Sequence, residues 1–204
     1  MAHFVHPAIS AEQALQRLIE GNERFLRGEA RFPTVCKETL ADLAKGQHPY
    51  ATILGCSDSR VPPELLFDAH FGELFIVRVA GNVVSGEVMG SLQYAGSHLH
   101  TPLFVVLGHQ GCGAVAAALD TKLHGTEHKS HIQILVDGIE PGLSQPDPQL
   151  SPEAQFERAV EDNVRWSIQQ LLATPEGKAA VEDGRAQIMG AVYEIATGRV
   201  RFLR

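Results

Sequence analysis

Ala51-Thr52-Ile53-Leu54-Gly55-Cys56-Ser57-Asp58-Ser59-Arg60 runs a short apolar segment straight into a thiol, an acid and a base. A second run, Leu103-Phe104-Val105-Val106-Leu107-Gly108, delivers His109-Gln110-Gly111-Cys112 in the same way. Brief, continuously apolar runs suit strands that are covered on both faces, as in a parallel sheet. Both chemistry-bearing loops then sit at the carboxyl ends of strands, where ligands gather in open parallel sheets.

The remaining elements follow outward from these two runs. Leu74-Phe-Ile-Val-Arg-Val-Ala-Gly81 reads as another strand, and Ala186 to Ile195 with Arg199 to Leu203 read as two strands flanking the turn Ala196-Thr197-Gly198. Ser10 with Gln13 forms a capping-box pattern ahead of Ala14, Leu15, Leu18, Ile19, Phe25 and Leu26 at helical spacing. Shorter helices are expected over Thr39 to Lys45 and after Pro62-Pro63, where proline suits a first turn. Longer ones are expected over Glu87 to His100, from Gly113, and over Ala154 to Leu172. The polar, proline-containing stretch from Gly142 to Pro152 reads as a loop.

Strand and helix alternate through the first part of the chain. The pattern predicts an α/β fold: a mostly parallel central sheet of four strands plus an antiparallel edge strand, helices on both faces, and an N-terminal helical arm. One domain spans 1–204, with the arm over 1–48 and the α/β core, C-terminal helices and edge strand over 49–204. At 204 residues the chain is long enough to bury a core of its own.

Seventeen basic and twenty-four acidic residues give a net charge of −7, with no basic run to follow a phosphate backbone, so nucleic acid is not an expected partner. The opening Met1-Ala-His-Phe-Val-His-Pro-Ala-Ile9 lacks a secretory pattern, and no apolar segment is long enough for a bilayer, so a cytoplasmic protein with no membrane partner is expected. The three cysteines are an odd count. Two of them stand near a histidine and an aspartate, which favours thiolates on a metal over a disulfide. Cys36 is left over as a small buried or partly exposed thiol.

Zinc takes Cys sulfur and His nitrogen in tetrahedral geometry, and three protein ligands with one open position make a catalytic arrangement. Cys56, His109 and Cys112 supply three such ligands. Taken alone, a His-x-x-Cys pair is a weak signal and a Cys at the end of a strand is commonly packing. The juxtaposed loops, and Asp58 and Arg60 just after Cys56, raise the case for a metal. Asp58 and Arg60 alone could also be a solvated surface pair.

Cys56-Ser-Asp-Ser-Arg-Val-Pro-Pro-Glu64 together with His109-x-x-Cys112-Gly113 resembles the β-class carbonic anhydrases, and the likeness extends from the N-terminal helix to the last strand. The resemblance implies carbonate dehydratase activity: reversible hydration of carbon dioxide to bicarbonate and a proton by zinc-bound hydroxide. It implies one Zn2+ per subunit on Cys56, His109 and Cys112, with Asp58 and Arg60 as the aspartate–arginine dyad. It further implies that Asp58 can leave Arg60 for the metal at low pH, and the open form is expected at mildly alkaline pH.

By the same resemblance Gln47, Phe75 and Tyr94 line the pocket of the plant-type subclass, and the Gly113 N–H receives a bicarbonate oxygen. Ile53 stands where bacterial members that bind inhibitory bicarbonate carry tryptophan, so the plant-type subclass is the expectation. His98, one helical turn beyond Tyr94, is the candidate proton shuttle among ten histidines. Gln47 can equally be a loop residue, Tyr94 and Phe75 core aromatics, and His98 a surface group. The family's pockets lie at a dimer interface, with Phe75 and Tyr94 entering from the partner, so a dimer or dimer of dimers is implied. Two other functions remain open on the residues: hydrolysis of carbonyl sulfide or carbon disulfide on the same scaffold, and a non-catalytic zinc- or bicarbonate-binding module.

Overall fold

The computed structural model describes residues 9–31 and 36–203. Most of the leader reading, over residues 1–8, and Pro33 ahead of Cys36 lie outside that range. The chain begins with α1 (Ala11–Leu26), whose Ser10 hydroxyl accepts from the Gln13 N–H at 3.2 Å while Gln13 Oε1 accepts from the Ser10 N–H at 2.8 Å. The expected capping box is therefore formed. Next come α2 (Lys37–Leu43), β1 (Ala51–Gly55), α3 (Pro63–Leu66) and β2 (Leu74–Arg78). A 3-10 turn over Ala80–Asn82 leads to α4 (Gly86–Ser97), β3 (Leu103–His109) and α5 (Gly113–His124). The last part holds α6 (His131–Ile139), α7 (Pro152–Leu172), α8 (Pro175–Glu182), β4 (Gln187–Glu194) and β5 (Arg199–Phe202).

The strands form one sheet in the order β2-β1-β3-β4-β5, with every pairing parallel except the antiparallel hairpin β4–β5. This is the four-plus-one sheet that the sequence implies. All residues of β1 and β3 are buried, as central strands packed on both faces require. Side chains alternate across the strands. Leu54, Val106 and Val192 join a core with α4, α5, α6 and α7, whereas Ile53, Val105, Leu107 and Ala191 join a second core with α1 and α3.

Helix α1 lies on the chain's own sheet and buries Ala14 and Leu18, with Leu15 and Phe25 packed alongside. Asn22 ties it there: Nδ2 donates to the Leu66 and Gly198 carbonyls at 3.1 and 3.0 Å, and Oδ1 accepts from the Val200 N–H at 2.9 Å. On the opposite face α7 comes close to β3 because residue 108 is glycine. A Cβ there would stand 2.6 Å from Val164 Cγ2.

Several boundaries differ from the sequence reading. The second strand stops at Arg78, because Gly81 and Asn82 take φ of 67° and 45° and turn the chain out of the sheet. Helix α4 ends at Ser97, His98 forms its cap, and His100 is left-handed at φ 54°. Helix α2 starts two residues before Thr39, α7 starts at Pro152 with Ser151 as its cap, and α6 occupies a segment that the sequence left without an element. Cys36, expected to be buried or partly exposed, is exposed as the N-cap residue of α2.

Asn22 is 4% exposed, so Asn22→Ala would strand two carbonyls and one N–H inside the protein. The expected loss of stability is about 3 kcal/mol, read from the midpoint of urea denaturation. A loss below about 0.5 kcal/mol would show that α1 is held by its apolar face alone.

Candidate metal centre

From β1 the chain moves to β2 on one side, and after α4 it enters β3 on the other side. Such a reversal opens a crevice at the carboxyl ends of the two strands. In the β1–β3 register Gly55 pairs with Leu107, which brings Cys56, just past β1, beside His109 at the end of β3. Cys112 follows after a turn in which Gly111 takes φ 71°, and it serves as the N-cap residue of α5.

One donor atom from each of Cys56, His109 and Cys112 lies within 4.8 Å of the other two, and all three residues are buried. His109 Nδ1 stands 3.0 Å from the Gln110 carbonyl, so Nδ1 carries the proton and donates it there. The lone pair is then on Nε2, which is fully buried and has no hydrogen-bond partner. A buried, unpartnered nitrogen facing two sulfurs fits a divalent cation with soft-ligand preference, above all zinc.

The two sulfurs lie within 4.8 Å of each other. Contact with the Cys112 sulfur holds the Cys56 thiol well below its ordinary range, at about 4. The same contact, with burial, pushes Cys112 up. Burial disfavours the charged His109 ring, but the Cys56 sulfur, the Gln110 carbonyl and Asp58 outweigh it, so the imidazole is raised. A bound cation displaces such protons and takes the charge of both thiolates.

Asp58 and Arg60 form a two-pronged pair: Arg60 Nε donates to Oδ1 at 2.9 Å and Nη2 to Oδ2 at 2.7 Å, and the Arg60 N–H also reaches Oδ1 at 2.9 Å. Arg60 holds the Asp58 carboxyl far below the usual carboxylate range. Asp58 Oδ2 lies 4.0 Å from His109 Nε2, at the rim of the donor group. Gly113 is exposed as the first residue of α5, at the positive end of that helix.

The other candidates gather elsewhere. Tyr94 is 45% exposed and stacks on His98 with ring centroids 4.9 Å apart, while Phe75 lies 6.2 Å from Tyr94. Gln47 is exposed and lines a shallow hollow with Tyr94, Leu43 and Leu99. Phe75 pairs with Thr52 near the start of the strands, so within one chain it is about 13 Å along the strand from Cys56. The structure thus unites Cys56, Asp58, Arg60, His109, Cys112 and Gly113, and sets Gln47, Phe75, Tyr94 and His98 apart in the same protomer.

Two participants escaped the sequence reading. Arg78, opposite Gly55 in the sheet, donates from Nε to the Cys56 carbonyl at 2.9 Å and from Nη2 to the Asp58 carbonyl at 2.6 Å. Gly81 donates its N–H to Cys56 Sγ at 3.3 Å. Arg78 had a visible signal, a charge closing the otherwise apolar Leu74–Val77 run. Gly81-Asn82 had only the tolerance of both residue types for left-handed backbone.

Residues 51–200 match the family model described as carbonic anhydrase. Carbonic anhydrase 2 of Mycobacterium tuberculosis is 39% identical over 196 residues, covering 95% of this chain and 93% of that protein. The Mycolicibacterium smegmatis carbonic anhydrase is 38% identical over 194 residues, covering 92% and 90%. Among solved structures, the β-carbonic anhydrase CcaA superposes with a TM-score of 0.73 at 27% identity, over 93% of this chain and 95% of that one. Coccomyxa β-carbonic anhydrase gives 0.71 at 29% identity, over 93% and 86%. A parallel sheet whose switch point gathers two thiols and an imidazole, and a family match over that whole region, lead to one conclusion: the chain belongs to the β-class carbonic anhydrases.

Proposed function

We propose that Cys56, His109 and Cys112 hold one zinc ion per chain and that Asp58, fixed by Arg60, orients the water that attacks carbon dioxide. As a β-class carbonic anhydrase the protein interconverts carbon dioxide and bicarbonate. The buried, partnerless His109 Nε2 facing two sulfurs carries the reading. Zinc bound there supplies a Lewis acid that makes water a nucleophile near neutral pH.

The protein's own groups do the rest. Asp58 is an acceptor only, since Arg60 keeps it ionised, so the face of its carboxylate turned to the site takes a hydrogen bond from the substrate water and aims the water's lone pair. The Gly113 N–H, at the positive end of α5, donates to the oxygen that gains charge as bicarbonate forms. His98 carries the released proton away to solvent.

Self-association completes the pocket in this reading. Phe75 and Tyr94, with Gln47 beside them, enter the site of a second protomer, because their own is too far along the strand and Tyr94 is left half-exposed. A dimer, or a dimer of dimers, meets that need. The plant-type pocket is favoured because Ile53 stands where bacterial members that bind inhibitory bicarbonate carry tryptophan. A reducing, cytoplasmic setting suits thiols that must stay unpaired to bind metal. Among the described residues no helix is long and apolar enough to cross a membrane.

Metal analysis and a stopped-flow pH-indicator assay on the same preparation test the reading. Wild-type protein should hold one zinc per chain and hydrate carbon dioxide. Zinc without hydration, or turnover confined to carbonyl sulfide or carbon disulfide, would overturn it. Cys112→Ser should lose zinc, whereas Asp58→Ala should keep it and lose at least about 100-fold in kcat/KM.

A mixing experiment tests the shared pocket. Asp58→Ala and Tyr94→Ala proteins, each impaired alone, are unfolded and refolded together. Random pairing in a two-fold dimer should restore about a quarter of the sites to wild-type composition. No recovery in a verified mixed dimer would mean that each pocket is built from one chain.

A further inference from the structure

Buried polar groups meet where α7 approaches the turn after β2. Asn163, 1% exposed, donates from Nδ2 to the Gly81 carbonyl at 2.9 Å. Ser167, fully buried, donates to the Asn82 carbonyl at 3.1 Å and accepts from Asn82 Nδ2 at 3.3 Å. Val83, Ile139, Val164 and Leu171 belong to the apolar core around them. Taking an amide and a hydroxyl out of water is costly, and their hydrogen bonds do little more than offset it. Their placement therefore points to something that the turn must do.

The turn is held in a backbone form that few sequences adopt. Gly81 and Asn82 both have left-handed φ, and a Cβ on residue 81 would stand 2.7 Å from Ile139 Cδ1 and 2.9 Å from Ala114 Cβ. Gly81 is anchored through its carbonyl by Asn163, and its N–H points the other way, onto Cys56 Sγ at 3.3 Å. Asn163 is thus joined to a sulfur of the donor group through a single residue.

We propose that Asn163 and Ser167 are positioning residues for the metal centre, which fix the Ala80–Asn82 turn so that the Gly81 N–H stays on the Cys56 sulfur. The inference rests on the assignment of Cys56 as a metal ligand. A hydrogen bond to a thiolate draws charge off the sulfur. Two thiolates cancel the formal charge of a divalent cation, so any charge withdrawn from one of them leaves the cation a stronger Lewis acid. Helix α7, which contributes no ligand, in this way tunes the site from the core.

The test uses cobalt(II) added to metal-depleted full-length protein, with Asn163→Leu, of similar volume and no donor, and Ser167→Ala as the milder change. Wild type should show a cysteine-to-cobalt charge-transfer band. In the folded variants that band should move to longer wavelength, zinc should bind about 10-fold or more weakly, and the hydration pH profile should move to higher pH. Ser167→Ala, acting through Asn82, should move all three in the same direction by less, and it serves alone if Asn163→Leu does not fold. A variant with a lower Tm but an unchanged band and pH profile would reduce Asn163 to a packing role and overturn the inference. Absence of the band in wild type would instead refute the ligand assignment of Cys56, and the inference with it.

Discussion

β1 and β3 are hydrogen-bonded in parallel with Gly55 opposite Leu107, and the metal centre depends on that register. A slip of one residue would turn Leu54 and Val106 to the wrong faces of the sheet, so two apolar cores on opposite sides pin it. The same register sets Cys56 beside His109, so that their donor atoms and that of Cys112 lie within 4.8 Å of one another. A three-donor site on two separate loops can be that well defined because it borrows its alignment from the strands beneath. Arg78 extends this control, since it lies opposite Gly55 in the next strand and ties the Cys56 and Asp58 carbonyls.

Burial and charge work against each other at the centre. Cys56, His109 and Cys112 are all buried, where an isolated thiolate is unfavourable. The protein lowers that cost with fixed dipoles: the Gly81 N–H donates to the Cys56 sulfur, and Cys112 stands at the positive N-terminus of α5. It then leaves one nitrogen unpartnered, which is costly unless a cation is bound. The donor set is therefore strained toward metal, and the energy of binding is also energy of folding for these loops.

The central strands were legible because parallel strands inside a doubly covered sheet are apolar nearly throughout, and Ala51–Gly55 and Leu103–His109, wholly buried, depart from that only at Thr52 and at the donor His109. The five residues around the metal were legible because strand ends in such a sheet converge. Helix α6 was not. His131-Ile-Gln-Ile-Leu-Val alternates like a strand, and Ser130 ahead of it makes no side-chain cap. Packing of α6 against α5, a tertiary effect, settles its form. Helix α8 buries no residue, so it offered no periodic face to find, only the Thr174 cap that accepts from the Gly177 N–H at 3.1 Å. The turn over Ala80–Asn82 and its anchor Asn163 were hidden because they join segments far apart in sequence through polar groups in an apolar surround.

Gln47, Phe75, Tyr94 and His98 pose a different problem, because the protomer holds them away from the donor group. An exposed tyrosine stacked on an exposed histidine gains little from water and would be unremarkable if scattered. Here the stack adjoins Phe75 on an edge strand, beside the hollow lined by Gln47. The donor group is fixed by the core, while the aromatic cluster of Phe75, Tyr94 and His98 lies at the outer edge of the sheet. Arg60, 54% exposed, is the link between those two regimes. Its two-pronged hold on Asp58 would keep the carboxylate off a metal held by the three donors, and that hold weakens if solvent and salt reach it. A partner's apolar wall laid over the rim would exclude that solvent, so covering the site would stabilise the open arrangement as well as shape the pocket.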